Sequence, residues 1–442
     1  MTAAEISNGD AQAAADRENF IPIRKTDILD ALIEHDRLAS EDEREKTRQV
    51  CRLLAAIYHY EYFDRLEKLR DAYYYFSPEL DTQKRFDPAT IDRAYAELIE
   101  SFTSVLKGAN FVEMAHEEIE AAHGQRVGTR VKIEAPVEDF RDVKFFRRGH
   151  HRETVEIPKW YGLRKHAVEA TVHDDVVLLV AMKLESEIAS RRERKRLKAL
   201  RIRPGSVLIK YFRNIVDWDL NALFPNVRVV MSRFDKLFLS VPAVAGAVPI
   251  LLNLASTVTV LFLVIGFYLG VSGAVEQDQM KTAFAAMSGL VALGGFVMRQ
   301  WVKYQRQSLR YQKELADNIY FRNINNNAGI FDYIIGAAEE QECKEAFLAY
   351  YFLRTMPSPP TQTELDEHIE QWLRDTFAVD VDFEVDDALA KLDRLELLRR
   401  DGERLSVPPP ESALARLDYV WDNYFQFNVD AAAKEATATA SA

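Results

Sequence analysis

The sequence predicts an α+β membrane protein with an N-terminal helical domain, a small β-rich domain, a two-helix transmembrane hairpin, and C-terminal helices with a winged-helix-like unit. Three observations lead there. Residues 237–275 are 39 consecutive positions without Asp, Glu, Lys, Arg or His, where a spanning helix needs about 20. The hydrophobic period changes near residue 126 from helical spacing to alternation. The end of the chain reads helix, helix, two short strands about Asp401-Gly402, helix, which is the winged-helix order.

Each segment has its own reason. Residues 1–19 are Ala-rich and polar, a disordered tail. Residues 20–125 read as a helical domain. Ser40 with Glu43 fits a capping box for a helix running to about Phe76, where Ser77-Pro78 breaks it; Asp87-Pro88 starts another that stops at Gly108. Residues 126–240 read as the β-rich domain, from TRVKIEA, RDVKFFRR, RETVEIP, DVVLLVAMK and SVLIKYFR. The membrane hairpin is placed at 246–298, with spans at about 250–270 and 282–298. A helical pair at 299–356 follows, then the winged-helix-like domain at 361–428 and a disordered tail at 429–442. Lys and Arg cluster outside both ends of the hairpin, with Arg299, Lys303, Arg306, Arg310 and Lys313 on the far side. That asymmetry places both termini in the cytoplasm. The acidic start, with Glu5, Asp10, Asp16 and Glu18, is unlike a mitochondrial transit peptide and points to a bacterial inner (cell) membrane, multi-pass.

Charge and cysteine content narrow the chemistry. The 442 residues carry a net charge of −12, which argues against a general nucleic-acid binder. The winged-helix-like unit repeats the point, with 17 acids against 7 bases between 361 and 428. DNA phosphates would be repelled there, so protein partners are expected at this acidic surface. Two cysteines, Cys51 and Cys343, make neither a zinc site nor a disulfide framework.

Several motifs occur in order along the chain: FIPIRK at 20–25, FRRG at 146–149, LIKYFRNIVDWDLNALFPNVRVVMSRFDKLFL at 208–239 and NIYFRNINNNAGIFDYIIGAAEEQECKEAFLAYYFL at 318–353. Together they resemble the domain of unknown function 3754 family, which includes the eukaryotic transmembrane protein 143. The resemblance covers roughly 20–425. It implies an integral membrane protein and no established activity, and the acidic start favours a bacterial member.

No Walker A, GxGxxG, HExxH or GxSxG pattern is present, so no catalytic residue and no cofactor is assigned. His151, His173 and Asp175 are weak candidates for a metal site, set against a solvated β-turn. Ala338–Glu345 reads as a charged helix face, and Asn325–Asn327 as a turn needing left-handed backbone. Eight bases crowd into residues 191–203 against one acid. Among them Arg191, Arg192, Arg194, Lys195, Arg196 and Lys198 are candidates for contact with anionic lipid, the other reading being a solvated helix. No aromatic residue interleaves the run to stack on bases. Gly266 and Gly270 form a GxxxG through which the spans could pair as a homo-oligomer in the bilayer. The function expected is a non-enzymatic membrane-anchored adaptor or scaffold. The alternatives are a membrane-associated metal-dependent enzyme and a lipid-binding or transport component.

Overall fold

The computed structural model describes residues 17–35, 38, 40–79, 87–115, 117–119, 131–134, 136–159, 164–231, 262, 265–267, 269–270 and 277–425. Three helices come first: α1 (Lys25–Glu34), α2 (Glu41–Tyr74) and α3 (Pro88–Gly108). Ser40 caps α2 by accepting from the Glu43 amide at 3.2 Å, and Pro88 opens α3 where a missing N–H costs nothing.

A five-stranded sheet follows in the order β1-β3-β4-β5-β7, with antiparallel pairing throughout. Its strands are β1 (Val112–Glu113), β3 (Phe140–Lys159), β4 (Arg164–Met182), β5 (Val207–Val216) and β7 (Asn323–Asn326). RDVKFFRR and RETVEIP, which read as two strands, are both parts of β3. Short strands β2 (Val131–Glu134) and β6 (Arg228–Met231) pair with each other. The centre of the sheet is buried on both faces, as the unbroken apolar run Val176–Met182 requires. Phe146, Val177, Leu179, Ile209 and Tyr211 meet α2, α3 and α6. Phe145, Val176, Leu178 and Phe212 meet a 3-10 segment, Asp217–Leu223, and helix α4 (Arg191–Ala199).

The 27-residue helix α6 (Gly329–Thr355) is central. Its first turns pack against one face of the sheet, and most of its second half is buried, Lys344 and Glu345 included. There it shares one core with α1, the start of α2, and the C-terminal elements. These are α7 (Gln362–Phe377), α8 (Val385–Arg394), the hairpin β8 (Arg399–Asp401) with β9 (Arg404–Ser406), and α9 (Pro410–Asp422).

The membrane hairpin is overturned. No helix among the described residues is long and apolar enough to cross a membrane. The stretch 282–298 is part of one continuous 44-residue helix, α5 (Gln277–Tyr320). Its 17 uncharged residues rise about 26 Å, short of a hydrocarbon core of about 30 Å. Lys281 bounds them on one side, and exposed Arg299, Lys303 and Arg306 continue the same helix on the other. Most of the other expected span, about 250–270, lies outside the described residues. Gly270 takes φ +76 in a turn, so Gly266 and Gly270 do not form one helical face. The multi-pass inner-membrane placement, its topology and the membrane-anchored adaptor built on it fall with the hairpin. What stands is an α+β fold.

The C-terminal elements are tied to α6 by a buried charge cluster. The Lys391 ammonium on α8 meets Glu342 and Asp387 at 2.8 Å each, and Glu345 closer still. Burial, set against one ammonium shared by three carboxylates, holds the Glu345 carboxyl above its usual range. Replacing Lys391 by Met should destabilise the chain by about 3–5 kcal/mol, because it strands buried carboxylates. Adding Glu345→Gln should restore part of that. Urea unfolding of the two variants checks both, and a K391M change under about 1 kcal/mol would show that the cluster is merely superficial.

Candidate functional site

Two places on the sheet gather the residues that carry chemistry. The first is helix α4. Ser190 caps it, accepting from the Glu193 amide at 3.1 Å. The helix docks by one narrow face: Leu197 enters the core under the sheet, the Glu193 carboxylate meets Lys183 at 2.7 Å, and Arg196 reaches the buried Asp139. The opposite face carries Arg191, Arg194, Lys195 and Lys198, all exposed, with Arg201 just past its end. None of these five has an acidic partner among the described residues. Of the six basic candidates in this run, Arg196 is therefore structural, four lie on the free face, and the Arg192 side chain lies outside the described residues.

The second place is the inner edge of the β3–β4 pairing. Arg148 and Asp175 face each other in register and form an ion pair at 2.6 Å, each about 5% exposed. Arg213 on β5 reaches the second Asp175 oxygen at 3.1 Å. Arg148 also donates to the Ala109 carbonyl at 3.2 Å and lies over the Phe20 and Phe111 rings at 4.4 and 4.6 Å. Each such stack adds about 1–2 kcal/mol when desolvated. Asp175 is thus a structural counter-ion. His151 is exposed and donates to Asp174 at 2.7 Å, whereas His173 bonds Asp217. His151, His173 and Asp175 are each held by a different partner. Among the described residues no three His, Cys, Asp or Glu side chains converge as a ligand set.

The segment before α1 closes this second place. The Glu18 carboxylate takes Arg147 at 2.7 Å, the Gly149 amide at 2.6 Å and His150 at 2.6 Å. The Phe20 ring lies beside Arg148 and also near Lys344, whose ammonium is 5.9 Å from its centroid. Ile21 is fully buried, exchanging hydrogen bonds with the Gln341 side chain and accepting from Lys344 at 3.0 Å. The stretch 338–345 is therefore not a solvated charged face: Gln341, Cys343, Lys344 and Glu345 are all buried. Burial also pushes the Cys343 thiol up to about 12, which makes it inert. Pattern alone missed this, because i,i+4 charge pairs look the same whether water or another segment covers them. FIPIRK and FRRG, standing out together, were the available signal.

Asn325–Asn327 is more than a turn. Asn323–Asn326 is β7, the edge strand beside β5, and Asn327 does take φ +53. The sequence profile of the family described as Protein of unknown function (DUF3754) matches residues 173–329. The chain therefore carries this family's domain over that stretch, which holds β4 from His173, α4, β5, α5 and β7. No solved structure matches the chain.

Burial, with Arg148 nearby, pushes the Lys344 ammonium down to about 8. Between about pH 8 and 10.5 the unfolded chain then binds more protons at this position than the folded one, so stability rises with pH across that window. Below it the burial cost is fully present. Lys344→Met removes the slope. The difference in stability between wild type and K344M should shift toward wild type by on the order of 2–3 kcal/mol from pH 7.5 to 10. Chemical denaturation at the two pH values measures it, and an unchanged difference would contradict the shift.

Proposed function

We propose that the protein associates peripherally with anionic phospholipid surfaces, without crossing them, through the basic face of α4. The observation that carries this reading is the division of labour on that helix. One face is locked to the body by Leu197, Glu193 and Arg196, while Arg191, Arg194, Lys195 and Lys198 are left exposed. A helix that merely solubilised the fold would not need four unpaired like charges, which repel one another at this spacing.

Electrostatics support it. The chain as a whole carries −12, so an anionic surface repels most of it and attraction is confined to basic patches such as this one. Each Lys or Arg held near such a surface contributes about 1 kcal/mol within a Debye length. Four or five of them give weak, reversible, salt-sensitive attachment.

The test uses the full chain on sedimented phosphatidylcholine vesicles with and without phosphatidylserine. Binding should require phosphatidylserine and weaken with salt. It should drop at least about tenfold when Arg191, Arg194, Lys195 and Lys198 become Glu, with the thermal midpoint unchanged. Equal binding to the two vesicle types, or an unaffected variant, would refute the reading.

A further inference from the structure

Residues 17–21 form neither helix nor strand, yet they are gripped like a bound peptide. Three seats hold three side chains. The Glu18 seat is made of Arg147, His150 and the Gly149 amide. Gly149 holds φ +68, and a Cβ there would run into Asp174, so only glycine can turn its N–H toward the carboxylate. The β3–β4 register runs unbroken on either side of it, from Arg148–Asp175 to His150–His173.

The Arg17 seat is acidic. Its guanidinium meets Glu370 at 2.5 Å and Asp380 at 3.3 Å, and it also donates to the Val381 carbonyl. Asp366, close by, has a buried oxygen without a hydrogen-bond partner among the described residues. Its carboxyl is pushed up to about 6 by burial and then by Glu370 and Asp382. The Phe20 seat is lined by the Arg148 and Lys344 cations. Between the seats, side chains and backbone read the peptide main chain. Asp382 donates to the Glu18 carbonyl at 3.2 Å, and Asn110 donates to the Asn19 carbonyl at 2.8 Å.

We propose that this groove is a recognition site for a short linear peptide of the pattern Arg-Glu-x-aromatic carried by a partner protein, and that the chain's own residues 17–20 occupy it until displaced. Charge complementarity sets the direction and spacing of the ligand. An acidic seat takes the Arg, a basic seat takes the next residue's carboxylate, and two cations lie beside an aromatic ring two places on. All the seat residues belong to the folded body: β3, the turn after α3, α6, α7 and the segment before α8. A peptide in trans competes with a tethered copy at an effective concentration on the order of millimolar. The intact chain is therefore closed to it, and loosening the tethered copy opens the site.

The probe is a fluorescent peptide with the sequence of residues 16–22, DRENFIP. Its anisotropy is followed against three proteins: the intact chain, a chain lacking residues 1–20, and a full-length E18Q/F20A chain. Circular dichroism reports which of them are folded. The peptide should bind the truncated chain at least tenfold more tightly than the intact one. The full-length variant serves if truncation prevents folding, and should show the same order. A peptide with Gln for its Glu, or Arg147→Glu in the protein, should each lose at least tenfold. The proposal is overturned if the folded opened chain binds no better than the intact one, or binds the Gln peptide equally well. Either result would leave residues 17–21 as a plain intramolecular staple.

Discussion

Phe20 brings two buried cations, one from the sheet and one from α6, against a single ring, and this contact ties residues 17–21 to the body of the fold. Arg148 belongs to the sheet and Lys344 to α6. Both are nearly inaccessible to water, and a buried charge without partners is very costly. Arg148 is satisfied by Asp175, the Ala109 carbonyl and two aromatic faces. Lys344 is satisfied by the Ile21 carbonyl and Glu340. Residues 17–21 thus hold two sets of groups that would repel each other if brought together bare. Arg17 extends the tie to Glu370 and Asp380 in the C-terminal part. Residues 17–21 thus add a polar tie among regions that α6 already joins through shared apolar cores.

This tie shapes how the chain divides. By pattern alone the C-terminal elements look like a free-standing unit with a strongly acidic surface. In the structure Glu370 and Glu384 are engaged by Arg17 and Asn19, and Lys391 engages Glu345 on α6. Part of the acidity is therefore an internal counter-charge. Exposed positive charge sits on α4, on the far side of the sheet from α6, as well as at Arg299, Lys303 and Arg306 of α5.

What could be read from the sequence follows from where the governing physics is local. Helix α2 begins one residue after its capping serine, and α3 begins at its proline, because a cap acts within one turn. The strands showed in their alternation, but β3 and β4 were read in pieces. The charged residues of RETVEIP and ATVHDD hide the fact that a two-stranded arm can extend well beyond the core. β7 was invisible: four residues of Asn and Ile have poor strand propensity, and only pairing to β5 makes them a strand. The long uncharged block and the shorter one at 282–298 were read as one span each on composition. In the second, the helix runs on through charged residues as one element. At the candidate sites, α4 was legible as a charge run with a cap, although composition could not say that Arg196 turns inward. The peptide-like grip on 17–21 was not legible, because it joins residues more than 300 positions apart.

The most direct test of the tie is hydrogen–deuterium exchange of the full chain against a full-length E18A/F20A variant. If residues 17–21 join the three regions, amides in 146–150, 338–346 and 380–384 should lose protection together. Loss confined to residues 17–24, with those three stretches as protected as in wild type, would contradict it.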